Sequence, residues 1–176
     1  MSASLVCSEM CIRDSDYTIC YFDKRLKTTH AHQLAASLVF YSPLQTIFWY
    51  DKPSFYHGEP EMEWFENLQT VFDDTKVLDG APGKNITMAR RKGQEWFVAA
   101  MTNNEGSEEE IPLTFLDKEK NYLACIYTDG GEKIKTSTQV KCTYLLVNAS
   151  QTMKFQLKPS GGAAIRLVPI DLSLIH

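Results

Sequence analysis

The chain places two aromatic residues beside a carboxylate at the end of an apolar run. Leu44 to Trp49 is predicted to form a short buried strand, with Trp49, Tyr50 and Asp51 at its exit. Aromatic faces stack on the C–H face of a pyranose ring, and carboxylates accept hydrogen bonds from hydroxyl groups. The trio therefore predicts contact with a sugar. Two alternatives stay open: Asp51 as a turn residue before Lys52, and the aromatic rings as packing between parts of the fold.

Histidines and glutamates near this run are the other candidates for chemistry. His30 and His32 flank Ala31 at a predicted helix start, so their side chains point to different sides. That arrangement favours capping and hydrogen bonding to a loop over catalysis. The segment Glu59 to Glu63 resembles a carboxylate cluster, but acids are favoured in the first turn of a helix by its dipole. A solvated helix start is therefore preferred to a metal site.

Helical and strand patterns alternate in the first part of the chain. Thr28 or Thr29 is predicted to cap a helix from Ala31 to about Phe40, which Pro43 prevents from continuing. A second helix is predicted over Glu59 to Leu68. With the predicted strand between them, these helices give the alternation of strand and helix that is typical of βα units.

The pattern changes near Gly80 to short alternating strands separated by turn signals. This change is the predicted domain boundary. A hairpin is predicted at Lys92 and Gly93, because glycine accepts the backbone conformation that a tight turn requires. The predicted strands are Asn85 to Arg90, Glu95 to Asn103, Glu109 to Thr114, Tyr122 to Thr128, Gln139 to Val147, Met153 to Leu157 and Gly162 to Val168. Their number and spacing predict an antiparallel β-sandwich.

Composition and charge exclude several classes of partner. The chain has 176 residues, 44% of them hydrophobic, and a formal net charge of −4. Lys and Arg are scattered, so we expect no nucleic-acid partner. No apolar stretch reaches the roughly 20 residues needed to span a bilayer, and we expect no membrane partner.

Cys125 and Cys142 are expected to be buried as small hydrophobic residues. No pair of cysteines after residue 15 has the spacing of metal ligands.

Several blocks in order carry a family resemblance: TTHAHQLA from Thr28, YSPLQTIFWYDKP at Tyr41 to Pro53, TVFDDTKVLDG at Thr70 to Gly80, and MARRKGQEWF ending at Trp96. From roughly Asp16 to Ile170, the chain resembles the C-terminal part of glycoside hydrolase family 97. The resemblance implies an N-terminal β-sandwich, a central (β/α)8 barrel and a small C-terminal β-domain, acting on α-glucosides or α-galactosides. The expected fold class is α/β plus all-β, with the last βα units of the barrel followed by an antiparallel β-sandwich.

The same resemblance implies what this chain lacks. Asp16 and Tyr17 resemble the exit of the preceding barrel strand and join Trp49, Tyr50 and Asp51 as candidate substrate-binding residues. No family catalytic carboxylate maps onto this chain, so we expect a glycosidase parent and a fragment that is inactive alone. Calcium is implied for the parent and none for this fragment. The implied partners are an α-linked oligosaccharide and the rest of the barrel.

Two other roles remain open for the β-domain, carbohydrate binding and structural support, and support is preferred because aromatics at alternating strand positions are usually core. The aromatics concerned are Trp96, Phe97, Tyr122, Tyr127, Tyr144 and Phe155. The resemblance to a bacterial family implies a periplasmic or exported location.

The predicted domain division is 1–15 as a non-native leader, 16–79 as the barrel remnant, 80–170 as the β-sandwich and 171–176 as a non-native tail. The two ends resemble translated adapter or cloning-derived DNA. With most of the barrel missing, we expect segment 16–78 to be loosely attached to the β-domain. Exposed apolar patches are expected around Leu34, Val39, Phe48 and Phe65.

Overall fold

A computed structural model describes residues 18–20, 26–40, 42, 45–50, 52–130 and 138–171. The elements in chain order are β1 (Thr18–Cys20), α1 (His30–Val39), β2 (Thr46–Phe48), a short 3-10 helix (Pro53–Phe55), α2 (Met62–Asn67), β3 (Asp74–Ala81), β4 (Asn85–Lys92), β5 (Glu95–Thr102), β6 (Ser107–Pro112), β7 (Asn121–Asp129), β8 (Val140–Asn148), β9 (Thr152–Leu157) and β10 (Gly162–Ile170). Among the described residues, no helix is long and apolar enough to cross a membrane.

Antiparallel sheets dominate the fold. Six strands form one sheet in the order β3-β4-β5-β10-β7-β8, and β6 pairs with β9 in a second, two-stranded sheet. Apolar side chains fill the space between the sheets, including Trp96 and Val98 from β5, Ile111 from β6, Met153 from β9 and Ile165 from β10. The predicted antiparallel sheets are therefore confirmed, with one small sheet lying over a large one.

The strand β5 is buried on both faces of the large sheet. Trp96 and Val98 face the small sheet, whereas Phe97, Ala99 and Met101 belong to a second apolar cluster on the opposite face. Successive side chains of a strand point to opposite faces, so a nearly continuous apolar run fits a strand covered on both sides. Helix α1 supplies that second cover by packing on β5 and β10.

Both ends of α1 are bound to the sheet domain. At its start, the backbone N–H of Thr29 donates to the carbonyl of Ser160 over 3.1 Å. At its end, Nε of Arg90 donates to the carbonyl of Leu38 over 3.0 Å. A buried guanidinium at the last turn satisfies a carbonyl that has no partner within the helix and complements the helix dipole. The predicted cap is also confirmed, because Thr29 Oγ1 accepts from the N–H of His32.

The prediction of an exposed apolar patch around Leu34 was wrong. Leu34 and Leu38 are fully buried, in one cluster with Phe97 and Tyr127 of the sheet. The prediction assumed that the apolar face of the helix was meant for absent barrel helices, whereas this face covers the sheet. Val39 and Phe65 are partly buried against the same cluster, and Phe48 is 42% exposed, as expected.

Strands β1 and β2 pair in parallel, with Ile19 opposite Ile47. The predicted strand from Leu44 to Trp49 is shorter in the structure, Thr46 to Phe48, and its residues are exposed rather than buried. Burial of this apolar strand requires further neighbours, and β1 is the one strand that pairs with it among the described residues.

The strand β3 was missed by the sequence prediction. It runs across the predicted 79/80 boundary and forms the edge of the large sheet beside β4. Its pattern was hidden because most of its residues are exposed and the pairing shifts register between Val77 and Asp79. The other predicted strands are present with small shifts at their ends. The second helix is shorter than predicted, beginning at Met62 rather than Glu59.

Candidate functional site

The described candidate residues lie where β2 leads into the 3-10 helix. Trp49 and Tyr50 are part of the described chain, whereas Asp16, Tyr17 and Asp51 lie outside the described residues. The structure therefore gives the surroundings of the two aromatic residues.

Trp49 is held in the core by three neighbours. Its indole Nε1 donates to Glu61 Oε1 over 3.4 Å, and its ring meets Phe65 and His30 edge-on at centroid distances of 5.0 and 6.2 Å. It is 3% exposed. This is the packing role that the sequence left open, and substrate contact by Trp49 stays a prediction.

Tyr50 belongs to a more open aromatic group. Its ring lies tilted against Tyr56 at 5.7 Å. Phe55 and Tyr56 are 42% and 46% exposed. Tyr50 itself is half-buried against the core, and the exposed rings of Phe55 and Tyr56 offer the apolar surface that a pyranose ring prefers. Phe55 and Tyr56 were not among the predicted site residues, although the aromatic pair in KPSFY was a visible signal.

The glutamates after this group are buried, which corrects the prediction of a solvated helix start. Glu59 is 5% exposed and Glu61 is fully buried. Glu59 Oε2 accepts from the N–H of His57 over 2.7 Å. Both residues precede α2, which lies against the sheet domain rather than facing solvent. No group of three or more His, Cys, Asp or Glu side chains in the described residues is arranged to hold a metal ion.

Burial raises the pKa of Glu61 above its ordinary value. The hydrogen bond from Trp49 acts in the opposite direction, and the nearby Glu59 carboxylate raises the pKa further. A carboxyl group in an apolar environment holds its proton because the charged form loses hydration. Glu61 is thus a buried acid that joins the exit of β2 to the sheet domain.

Glu61→Gln is expected to change how stability depends on pH. Since the folded-state pKa is raised, the unfolded chain releases this proton at lower pH than the folded chain. The contribution of Glu61 to the stability of the wild type therefore falls as pH rises above about 4.3, the ordinary glutamate value, until its folded-state pKa is passed. Glutamine keeps an acceptor for Trp49 and has no proton to lose. The stability of the variant relative to the wild type should increase as the pH rises from about 4.3 through the folded-state pKa of Glu61. Urea unfolding across that range measures this difference, and a constant difference would contradict the prediction.

The two histidines contact different partners, as predicted. His30 meets the ring of Trp49, and His32 Nδ1 lies 3.0 Å from the carbonyl oxygen of Gly161. Burial lowers the pKa of both imidazoles, while Asp129 partly opposes this effect. Their contacts join the start of α1 to its surroundings, which fits the structural role preferred from the sequence.

Glu63 joins α2 to three strands of the large sheet. Its Oε2 accepts from the hydroxyl groups of Tyr127 and Tyr144 over 3.3 and 3.2 Å. Its Oε1 lies 3.7 Å from the Arg166 guanidinium, which also binds Glu95 through two hydrogen bonds. The network fixes the orientation of α2 on the sheet.

Most of the aromatic residues considered for sugar binding on the β-domain are buried. Those with exposed fractions of 5% or less are Trp96, Phe97, Tyr122 and Tyr127. Phe155 packs partly buried against the core, and Tyr144 is 52% exposed. Cys125 is buried and Cys142 is half-buried, and both are free thiols. This arrangement favours structural support over carbohydrate binding.

Comparison with known proteins gives consistent matches. Residues 71–168 match the family described as glycosyl-hydrolase 97 C-terminal, oligomerisation. A retaining alpha-galactosidase of Bacteroides thetaiotaomicron is 34% identical over 86% of this chain and 23% of its own length. A probable retaining alpha-galactosidase of Streptomyces bingchenggensis is 25% identical over 76% of this chain and 20% of its own length.

A similar fold is found in solved structures. A glycoside hydrolase family 97 enzyme from Pseudoalteromonas sp. strain K8, solved in complex with acarbose and with panose, matches with a TM-score of 0.79 and 31% identity. The match covers 92% of this chain and 27% of that enzyme. The chain thus spans about a quarter of the length of the proteins it resembles.

Proposed function

The chain belongs to glycoside hydrolase family 97, and on that premise we propose that it serves as the C-terminal portion of a glycosidase. In this role the first part of the chain completes the catalytic barrel, and the β-domain packs on the outside of that barrel. The chain contributes structure and the remainder of the enzyme contributes the catalytic carboxyl groups.

The unit formed by β1, α1 and β2 is the observation that carries this proposal. Two parallel strands joined through a helix are the repeating unit of a (β/α)8 barrel. Ile47 and Phe48 on β2 are 39% and 42% exposed. Strands of a complete barrel would cover such residues. Helix α1 meanwhile lies between this strand pair and the large sheet, where the flank of a barrel would meet the β-domain.

Catalysis by the chain alone is not expected. Glycoside hydrolysis requires two carboxyl groups facing each other across the scissile bond. Near the exit of β2, Glu59 and Glu61 are buried and already engaged with neighbours. They do not line an open cleft.

An α-linked oligosaccharide is the proposed substrate of the complete enzyme, in particular an α-galactoside. Two curated relatives are named a retaining alpha-galactosidase and a probable retaining alpha-galactosidase. The half-buried ring of Tyr50 and the exposed rings of Phe55 and Tyr56 would lie beside the substrate face of the barrel, because substrate sites of barrels form at the strand exits. Calcium binding by the parent and a periplasmic or exported location remain predictions from the family resemblance.

Incubation of the purified chain with nitrophenyl α-galactoside and α-glucoside tests the division of roles. We expect no release of nitrophenol above the buffer rate. Measurable hydrolysis that is lost on heat unfolding of the chain would overturn the proposed inactivity. Calorimetry with malto- and galacto-oligosaccharides tests the alternative of a carbohydrate-binding module, for which heat of binding would be required.

A second part of the role is assembly. The family description for residues 71–168 names oligomerisation, and these residues include five strands of the large sheet and most of the sixth, β10. We therefore include self-association through the β-domain in the proposed function.

A further inference from the structure

The strand β8 forms one edge of the large sheet and carries an apolar surface on both faces. β7 is its hydrogen-bonded neighbour among the described residues. Tyr144, Leu145 and Leu146 are 52%, 48% and 51% exposed. Because successive side chains of a strand point to opposite faces, half-exposure of three in a row leaves accessible apolar surface on both faces of this edge.

The opposite edge of the same sheet is protected in the usual way. β3 carries the charged residues Asp74, Lys76 and Asp79 and a register shift after Val77. Charges and bulges on an edge strand prevent it from pairing with another chain. The pairing of β8 with β7 has no such shift, and the single charged residue of β8 is Lys141.

We propose that β8 pairs antiparallel with β8 of a second copy of this chain, forming a two-fold dimer with one continuous sheet. This inference rests on the self-association included in the proposed function and specifies the surface that carries it. The family description that names oligomerisation covers β8.

The sequence of β8 is suited to pairing with itself. If Leu145 lies on the two-fold axis, Tyr144 of one copy stands opposite Leu146 of the other, and both point to the same face of the sheet. Such cross-strand apolar pairs stabilise a sheet. The Lys141 residues of the two copies then lie at opposite ends of the interface, roughly 26 Å apart at ~3.3 Å per residue. Their like charges are well separated.

One aromatic residue of this surface is already oriented. The hydroxyl group of Tyr144 donates to Glu63 Oε2 over 3.2 Å, so its ring is held at the edge by α2. An interface side chain fixed before association loses less conformational entropy when the partner binds.

Sedimentation velocity from about 1 µM to about 100 µM tests the proposal. This concentration range suits an interface made by one pair of edge strands, which is expected to be of weak to moderate affinity. We expect a monomer–dimer equilibrium for the wild type. Leu145→Lys should raise the dissociation constant at least about 10-fold by placing two like charges at the axis. Val77→Lys is the matched control, because Val77 is an exposed apolar residue, 65% exposed, on the opposite edge. It should leave the dissociation constant unchanged.

Each outcome separates the surface from the broader role. A dimer that Leu145→Lys does not weaken would overturn the β8 surface and leave self-association standing. A monomer at every concentration would overturn both. Hydrogen exchange of the wild type supplies a second readout that needs no variant. The β8 amides should become more protected as concentration rises, and equal protection in dilute monomer would mean that the same chain covers this edge.

Discussion

Trp64→Ala is expected to lower the free energy of unfolding by about 3–5 kcal/mol, because a large aromatic ring is removed from a packed core. Trp64 is fully buried and meets Phe97 and Tyr127 edge-on at 5.8 and 6.1 Å. Its indole Nε1 donates to Ser37 Oγ over 2.9 Å. One side chain of α2 therefore contacts two strands of the sheet and helix α1.

Urea unfolding monitored by circular dichroism measures this loss. Tyr56→Ala is a suitable control, because Tyr56 is 46% exposed and its removal should cost less than about 1 kcal/mol. Trp64→Phe should lose less than the alanine variant, since it retains most of the ring. If Trp64→Ala were no more destabilising than the control, α2 would not be part of the core.

Gly162→Ala is expected to have the second largest effect, a loss of about 1–3 kcal/mol from overpacking. A Cβ at this position would lie 2.7 Å from His32 Cα and 2.9 Å from the carbonyl oxygen of Ala100. Both neighbours are backbone atoms, which do not move aside cheaply. The methyl group would push the start of α1 away from β10.

Gly80→Ala provides the matched control in the same sheet. A Cβ at Gly80 meets its nearest atom, the carbonyl oxygen of Asn85, at an ordinary 3.8 Å. The stability of the Gly80→Ala variant should therefore differ little from that of the wild type. The smaller conformational entropy of the unfolded variant favours a slight increase. Equal unfolding midpoints for the Gly162 variant and the wild type would contradict close contact between α1 and β10.

Local sequence signals predicted the elements that depend on local chemistry. Thr29, one of the two threonines predicted as the cap, caps α1. Lys92 pairs with Glu95 across a two-residue turn, and Gly93 has the positive φ of 58° that such a turn requires. The strand β5 also runs over Glu95–Thr102, within one residue of its predicted range.

Long-range partners were not predictable from those signals. The apolar face of α1 was visible around Leu34, but periodicity does not identify the surface that covers it. In the fold, that surface comes from β5 and β10, distant in sequence. For the same reason, Glu61 was placed in solvent, although the sheet domain encloses it. The strand β3 was missed because its exposed edge position removes the alternation that marks a half-buried strand.

The position of Trp49 and Tyr50 along the fold was predictable from the sequence, whereas their surroundings were not. Trp49 and Tyr50 lie at the exit of β2 as expected. Burial divides their roles, since Trp49 packs in the core and the half-buried Tyr50 lies against the exposed ring of Tyr56. Which aromatic faces solvent depends on how α2 folds back, and that fold depends on the sheet domain.

Native-state hydrogen exchange on the intact chain tests the central claim that α1 and the β-domain form one folded unit. We predict that the amides of α1 (His30–Val39) exchange with the same opening free energy as those of β5 and β10, because all three share one apolar cluster. A much lower opening free energy for the α1 amides than for the strand amides would contradict the claim. It would mean that the helix is only loosely attached to the β-domain.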